Sequence, residues 1–187
     1  MPAILVGAPI TEPVTLAAAK AHLRITHSDD DLLLLQLITS ARRVAEARTG
    51  LCFLSQAWLC LQDAWPGDLT VRLPVSPLIA VTEVAVLAAD AAKTVLDPAL
   101  YEADLASRPP RLMPVSGAWP LPGRLLNGIA IAVTAGFGAA PEAVPEPLRQ
   151  AMLLMVAHWY GNRGEEAGSQ LAPSIAALLA PYRAVRP

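Results

Sequence analysis

Charge is what this sequence has least of. Asp, Glu, Lys and Arg together make up 16% of its 187 residues, against about 25% in an ordinary soluble domain. The formal net charge is only -2. No cluster of Lys or Arg exceeds the pair Arg42 and Arg43, so the broad basic footprint of a DNA-reading module is missing. Cysteine is scarce too. Cys52 and Cys60 cannot build a disulfide framework, and their spacing fits neither a CxxC pair nor a zinc site, so they read as buried thiols. Long hydrophobic runs are absent, none reaching the ~18 residues of a membrane span. The N-terminal "MPAILVGAPI" has neither a charged lead-in nor an apolar core followed by a cleavage signal. A chain of intracellular origin that does not span a membrane is expected.

Catalytic signatures are missing as well. No serine-nucleophile, Walker or dinucleotide pattern occurs, and "TAGFG" supplies glycines without a phosphate-binding length or a following helix. His22, His27 and His158 are scattered among elements, and a catalytic metal needs three converging ligands, so no metal and no cofactor are expected. His158 lies in an apolar segment with no acid near it in sequence, which favours a packed or interface histidine over a ligand or base. The acidic run Asp29, Asp30, Asp31 lacks the alternating ligands and terminal acid of a calcium loop and reads as a helix start. Trp65 and Trp119 each precede proline, and such "WP" corners suit structural packing better than ligand stacking.

What the sequence does have is apolar surface, 54% of residues. A chain this long can bury roughly two thirds of its unfolded surface, so that composition implies either a generous core or a surface covered by partners. Helical periodicity begins at Thr15 to Ile25, with Thr15 as a cap and Leu16, Ala19 and Leu23 on one face. A longer helix is predicted from Asp29 to Thr49. Ser28 with Asp31 has the spacing of a capping box, Gly50 supplies the stop, and Leu34, Ile38, Ala41 and Ala45 form an apolar stripe widened by Leu37 and Val44.

The period then changes to two. "FLSQAWLCLQ", "LTVRLP", "IAVTEVAVL" and "GIAIAVTAGFG" are short β-prone stretches separated by Pro, Gly and Asp, which implies antiparallel strands. Strict alternation would put Val81, Glu83 and Ala85 on one face and Thr82, Val84 and Val86 on the other. "SRPPRLMPVSGAWPLPG" is too long for a tight hairpin and too rich in helix breakers for a helix, and reads as an ordered or partner-ordered excursion. After "EAVPEP" an apolar helix places Leu148, Met152, Met155 or Val156, and Trp159 on one face, with Ala151, Leu154 and His158 beside them. A short last helix, "PSIAALLAPYRAV", sets Ile175, Leu178, Leu179 and Tyr182 on its apolar side. The fold class expected is α+β, a helical bundle built from N-terminal and C-terminal helices with a β-rich antiparallel insertion between them. The segments are 1–50 (helical pair), 51–140 (β-rich insertion) and 141–187 (long apolar helix and C-terminal segment) within one compact subunit.

The ordered set "EPVTLAAAKAHLRI", "ARRVAEARTG", "AWP", "LPVSPLIAVTEV", "YEAD", "VTAGFG", "VPEPLRQAMLLMVAHWYGNR" and "LLAPYR" resembles the phage gp6-like head-tail connector (adaptor) proteins, in the longer branch found in prophages and gene transfer agents. Each motif alone is a packing pattern; their order and spacing along nearly the whole chain carry the resemblance. The resemblance implies a non-enzymatic subunit of a particle neck, typically a dodecameric ring beneath the portal protein. Such a ring extends the DNA channel, offers a surface to stopper or tail-completion proteins, and lets DNA pass without sequence-specific binding. It also implies a portal or neighbour-subunit interface at Leu178, Leu179, Tyr182, Arg183 and Arg186, with Leu23, Ile38, His158, Trp159 and Tyr160 as structural anchors. The modest "NRGEEAGSQ" departs from the strongly charged loop of the family pattern, so no specific charged contact is carried over there. A closed ring of identical chains implies heterologous contacts between neighbours. A stopper or tail terminator would instead be mainly a β-barrel without paired terminal helices. A small enzyme would show a concave pocket with convergent titratable groups.

Overall fold

The computed structural model describes residues 1–162 and 171–183. The chain forms two compact units, one from residues 10–54 and 138–187, the other from residues 1–9 and 55–137.

The first unit is helical. Helix α1 (Leu16–Leu23) starts where the Thr15 side chain accepts from the Ala18 amide, 3.1 Å away, and stops at Arg24 in the left-handed region. Helix α2 (Asp31–Thr49) ends at Gly50, φ 73°. Its predicted stripe is real: Leu34, Ile38, Ala41 and Ala45 are completely buried. The expected capping box is not formed. Asp30 is the N-cap and makes no side-chain capping bond, while Asp31 reaches outward to Lys20 Nζ at 2.7 Å. A tertiary ion pair has taken the acid that local spacing would have assigned to the cap.

Helix α3 (Glu146–Gly161) carries Pro147 in its first turn and buries Leu148, Ala151, Met152, Met155 and Val156 completely. Helix α4 (Pro173–Leu179) buries Ile175 and Leu179. Pro181 cannot continue the α-helical ladder, and Ala180–Tyr182 tighten into a 3-10 turn. Helix α2 packs on α3, α3 on α4, and α1 against both α2 and α3. Ala41 and Ala45 suit this arrangement, since small side chains let helix axes approach.

The second unit is built on β-sheet. Strands β1 (Ala3–Gly7), β2 (Gln56–Gln62), β4 (Leu78–Leu87), β5 (Lys93–Val95) and β8 (Ile129–Ala135) form an antiparallel sheet in the order β1-β2-β8-β4-β5. Central β8 is buried at Ile129, Ile131, Val133 and Ala135, the period-two set expected of "IAIAVTA". In β4 the alternation fails. A bulge between Val81 and Glu83 interrupts the register, and Val84, Ala85 and Val86 are buried in succession, so both faces are covered there.

A small antiparallel sheet orders β3 (Val71–Arg72), β7 (Arg111–Pro114) and β6 (Tyr101–Asp104) as β3-β7-β6. The proline-rich segment is thus partly strand. The Asp104 carboxylate organises the β6–β7 connection by accepting from the Ala106 and Ser107 amides, each at 3.1 Å, and from Arg111 Nε at 3.0 Å. Past β7 the two "WP" corners meet: Trp65 and Trp119 stack at 4.2 Å. Their indole N–H groups donate to the Pro120 and Leu69 carbonyls, respectively. Both rings are therefore occupied structurally, as their sequence context suggested.

Candidate functional site

The residues anticipated for an interface fall on α4 and the turn after it. Leu179 is a core residue at 2% exposure, Leu178 and Tyr182 are half-buried, and Arg183 is exposed. Arg186 lies outside the described residues. Beside them is an open cleft of about 190 Å³ lined by Arg48, Leu171, Ala176, Leu179 and Arg183. Apolar walls with two guanidinium-bearing residues suit a protein segment better than a small substrate, for which pockets are usually larger and enclosed.

The anticipated anchors are distributed through the same unit. Ile38 sits in the buried stripe of α2, and Leu23 is half-buried at the end of α1. Tyr160 donates its hydroxyl to the Asp30 carboxylate, so the last turn of α3 is tied to the start of α2. Trp159 is half-buried beside it. His158 is not packed in the core. Its ring is exposed and its Nδ1 lies 3.1 Å from Asn162 Nδ2, in a turn where the Asn162 amide also donates to the His158 carbonyl.

Sequence reading missed one cluster. Arg42, on the buried side of α2, donates from Nε to Glu12 at 2.7 Å and from Nη1 to Glu46 at 2.8 Å. Thr39 Oγ1 donates to Glu12, and the other oxygen of Glu46 accepts the Phe53 amide at 2.8 Å. Burial opposes the charge of Arg42, but the hydrogen bond to Glu12 and the charges of Glu46 and Glu12 outweigh it and hold its pKa above the usual value. Two signals were available: Arg42 adjoins the Ile38–Ala41–Ala45 stripe, and Glu46 follows it at the i,i+4 spacing. The cluster holds two chain segments to α2 and has no geometry for proton transfer to a substrate.

Among the described residues no group of three or more His, Cys, Asp or Glu could hold a metal ion, and no helix is long and apolar enough to cross a membrane. Both cysteines are buried and neither is in a disulfide; burial pushes the Cys60 thiol up to about 11. The structure offers helix faces, a cleft and exposed apolar residues, which are means of binding other proteins.

Known proteins agree. No curated protein matches the chain. Residues 13–92 match the family model of the phage gp6-like head-tail connector proteins. A chain in the neck of an empty GTA particle computed with C6 symmetry is similar at 28% identity, with a TM-score of 0.84, over 100% of this chain and 97% of that one. A chain in the virion of a native gene transfer agent (GTA) particle is similar at 27% identity, TM-score 0.84, with the same coverage. A chain in the neck of a native GTA particle computed with C12 symmetry is similar at 28% identity, TM-score 0.76, again over 100% and 97%. The family match covers α1, α2 and strands β2 to β4, and the structural likeness to chains of gene transfer agent necks extends over the whole length of the chain.

Proposed function

We propose that this protein is a connector subunit in the neck of a phage or gene transfer agent particle, joining capsid to tail. In this reading copies form a ring beneath the portal protein, most simply a dodecamer, extend the DNA channel, and present a surface to a stopper or tail-completion protein. The role is structural and not enzymatic. The observation that carries it is the likeness of the entire chain, at 28% identity and a TM-score of 0.84, to a chain of a GTA neck. A net charge of -2 suits a wall past which DNA slides without being held. The four helices among the described residues, together with an open sheet, do not fit the β-barrel of a stopper or tail terminator.

The portal contact is assigned to the C-terminal segment: Leu178, Tyr182 and Arg183 with Arg186 beyond them, supported from below by Leu179. An aromatic residue beside an arginine is the pairing most enriched where binding energy concentrates, and loss of such an anchor costs about 2 kcal/mol or more, roughly thirtyfold in affinity. Deletion of residues 181–187 leaves Ile175 and Leu179 in place to close the helical core. The truncated protein is expected to unfold cooperatively near the parent temperature while failing to co-sediment with portal-bearing, DNA-filled heads. Normal attachment would move the portal contact elsewhere in the chain, and loss of cooperative unfolding would assign the segment to the core.

A further inference from the structure

The five-stranded sheet ends in two edges of unlike design. At one side β5 is three residues long and carries Lys93, whose Nζ lies 2.5 Å from Glu83 of β4. A short, charged strand is a poor template for further pairing. At the other side β1 is five residues long and uncharged, and leaves Ile4, Leu5 and Val6 exposed by 49%, 44% and 61%. Among the described residues no strand lies beyond it. An edge of this kind associates with something unless it is covered.

A second apolar patch, with Arg124 as its only charged residue, lies on the same unit in the connection from β7 to β8. Leu121, Leu125 and Leu126 are 87%, 91% and 68% exposed. The backbone displaying them is firmly built. The Gly123 amide donates to Leu87 at 2.9 Å, the Asn127 amide to the Asp63 carboxylate at 2.7 Å, and Arg124 Nε to the Leu126 carbonyl at 2.7 Å. A Cβ at Gly123 would stand 2.8 Å from Ala88 Cα, and one at Gly128 would stand 2.5 Å from the Arg124 carbonyl oxygen, so the chain is closely packed at both points. Exposed leucines on a fixed backbone are preorganised for a protein partner. Gly123 is anchored beside the end of β4, and β4 is three strand spacings from β1, about 14 Å. The two patches are therefore separate surfaces.

We propose that the leucine loop of one copy docks against the β1 edge of the next copy in the ring, an inference that rests on the connector reading. A cyclic assembly of identical chains needs two different surfaces that fit each other, and the chains this protein resembles occur in necks computed with C6 and C12 symmetry. Charge selects the pairing. β1 has no ionisable side chain and the connection from Val115 to Asn127 has only Arg124, so neither patch suits phosphate or a charged partner surface, whereas each suits the other. Pairing of β1 with β1 would be twofold and would close a dimer instead of propagating round a ring.

The test is crosslinking in the assembled neck. A chain carrying Val6→Cys and Leu125→Cys, whose native Cys52 and Cys60 are buried, is incorporated into particles and treated with a short bismaleimide. A ladder of covalent multimers beyond the dimer, absent from either single variant, is expected. Dimers from Val6→Cys alone would replace the proposal with β1 self-pairing, and a crosslink to a different protein would give the patch to another neck component. Absence of crosslinks in necks that contain the chain would overturn the docking itself. Necks shown by mass spectrometry to lack the chain would overturn the connector reading beneath it. Independently, Leu125→Asp with Leu126→Asp is expected to leave thermal unfolding unchanged and to lower the incorporated copies by about tenfold; undiminished incorporation would count against the loop.

Discussion

Replacing Arg42 by alanine tests how the helical unit holds its chain ends. Glu12 lies just after the chain enters this unit and Phe53 just before it leaves, and the Arg42 network secures both segments to α2. The side chains of Arg42, Glu12 and Glu46 are 8%, 23% and 15% exposed, so the pairs are nearly buried but retain some solvent screening. Removing one partner from a buried ion pair costs about 3–5 kcal/mol, because the remaining charge keeps its desolvation penalty without compensation. Partial exposure of Glu12 and Glu46 places the expected loss near ~3 kcal/mol, which in a chain of this length lowers the melting temperature by about 6–12 °C. A raised arginine pKa contributes stability that is fully present below the unfolded value and is lost only as pH rises through the folded one, far into the alkaline range. The deficit measured by calorimetry is therefore expected to be the same at about pH 6 and about pH 9. A double-mutant cycle with Glu12→Gln is expected to give a coupling of about 1–3 kcal/mol, while Lys93→Ala, at the exposed pair with Glu83, is expected to change the melting temperature little. A loss below about 1 kcal/mol for Arg42→Ala would mean the network behaves as a surface pair, and the argument from burial would be wrong.

Trp119, 7% exposed and stacked on Trp65, is expected to cost about 3–5 kcal/mol on replacement by alanine, measured by denaturant unfolding; a loss under about 1 kcal/mol would show that the two corners do not hold the β-rich unit. The Asp104 carboxyl is held below its usual 3.8 by the Ser107 amide, with Arg111 and the Ala106 amide adding to the effect, so its contribution is present above that value and is lost as pH falls through the lowered pKa. In an NMR titration the Ser107 amide is expected to shift with a midpoint below 3.8, and a midpoint at or above it would remove the carboxylate from the β6–β7 loop. Burial raises the Cys60 thiol from 9.0 to about 11, so it stays protonated and enclosed, and its contribution is lost as pH climbs from 9.0 toward 11. Dithiobisnitrobenzoate at about pH 8 is expected to leave Cys60 unmodified until denaturant is added; rapid labelling in the native protein would contradict its burial.

The local signals that survive into the fold are those in which one element's own residues settle the matter. The Leu34–Ile38–Ala41–Ala45 stripe makes α2 amphipathic whatever it packs on, Thr15 and Gly50 cap helices through bonds within a few residues, and the "IAIAVTA" alternation makes β8 a strand. Together with the order of motifs, they were enough to make the α+β class and the resemblance to the connector proteins legible. What the sequence could not decide was every choice between a local and a distant partner. The cap at α2 was lost because Asp31 found Lys20 and Asp30 found Tyr160, 130 positions away. Strand β1 exists because Ala3 to Gly7 lie against β2, more than fifty residues on, and nothing in "AILVG" alone sets it apart from a tail. The β6–β7 hairpin was hidden behind prolines that sit outside its ladder positions or at its end, and the burial of Arg42 depended on the Glu12 carboxylate arriving from outside α2 to join Glu46 of the helix itself. Hydrophobic periodicity is a property of a segment and can be read along it, whereas a polar group's partner is fixed only when the tertiary fold brings two segments within hydrogen-bonding distance.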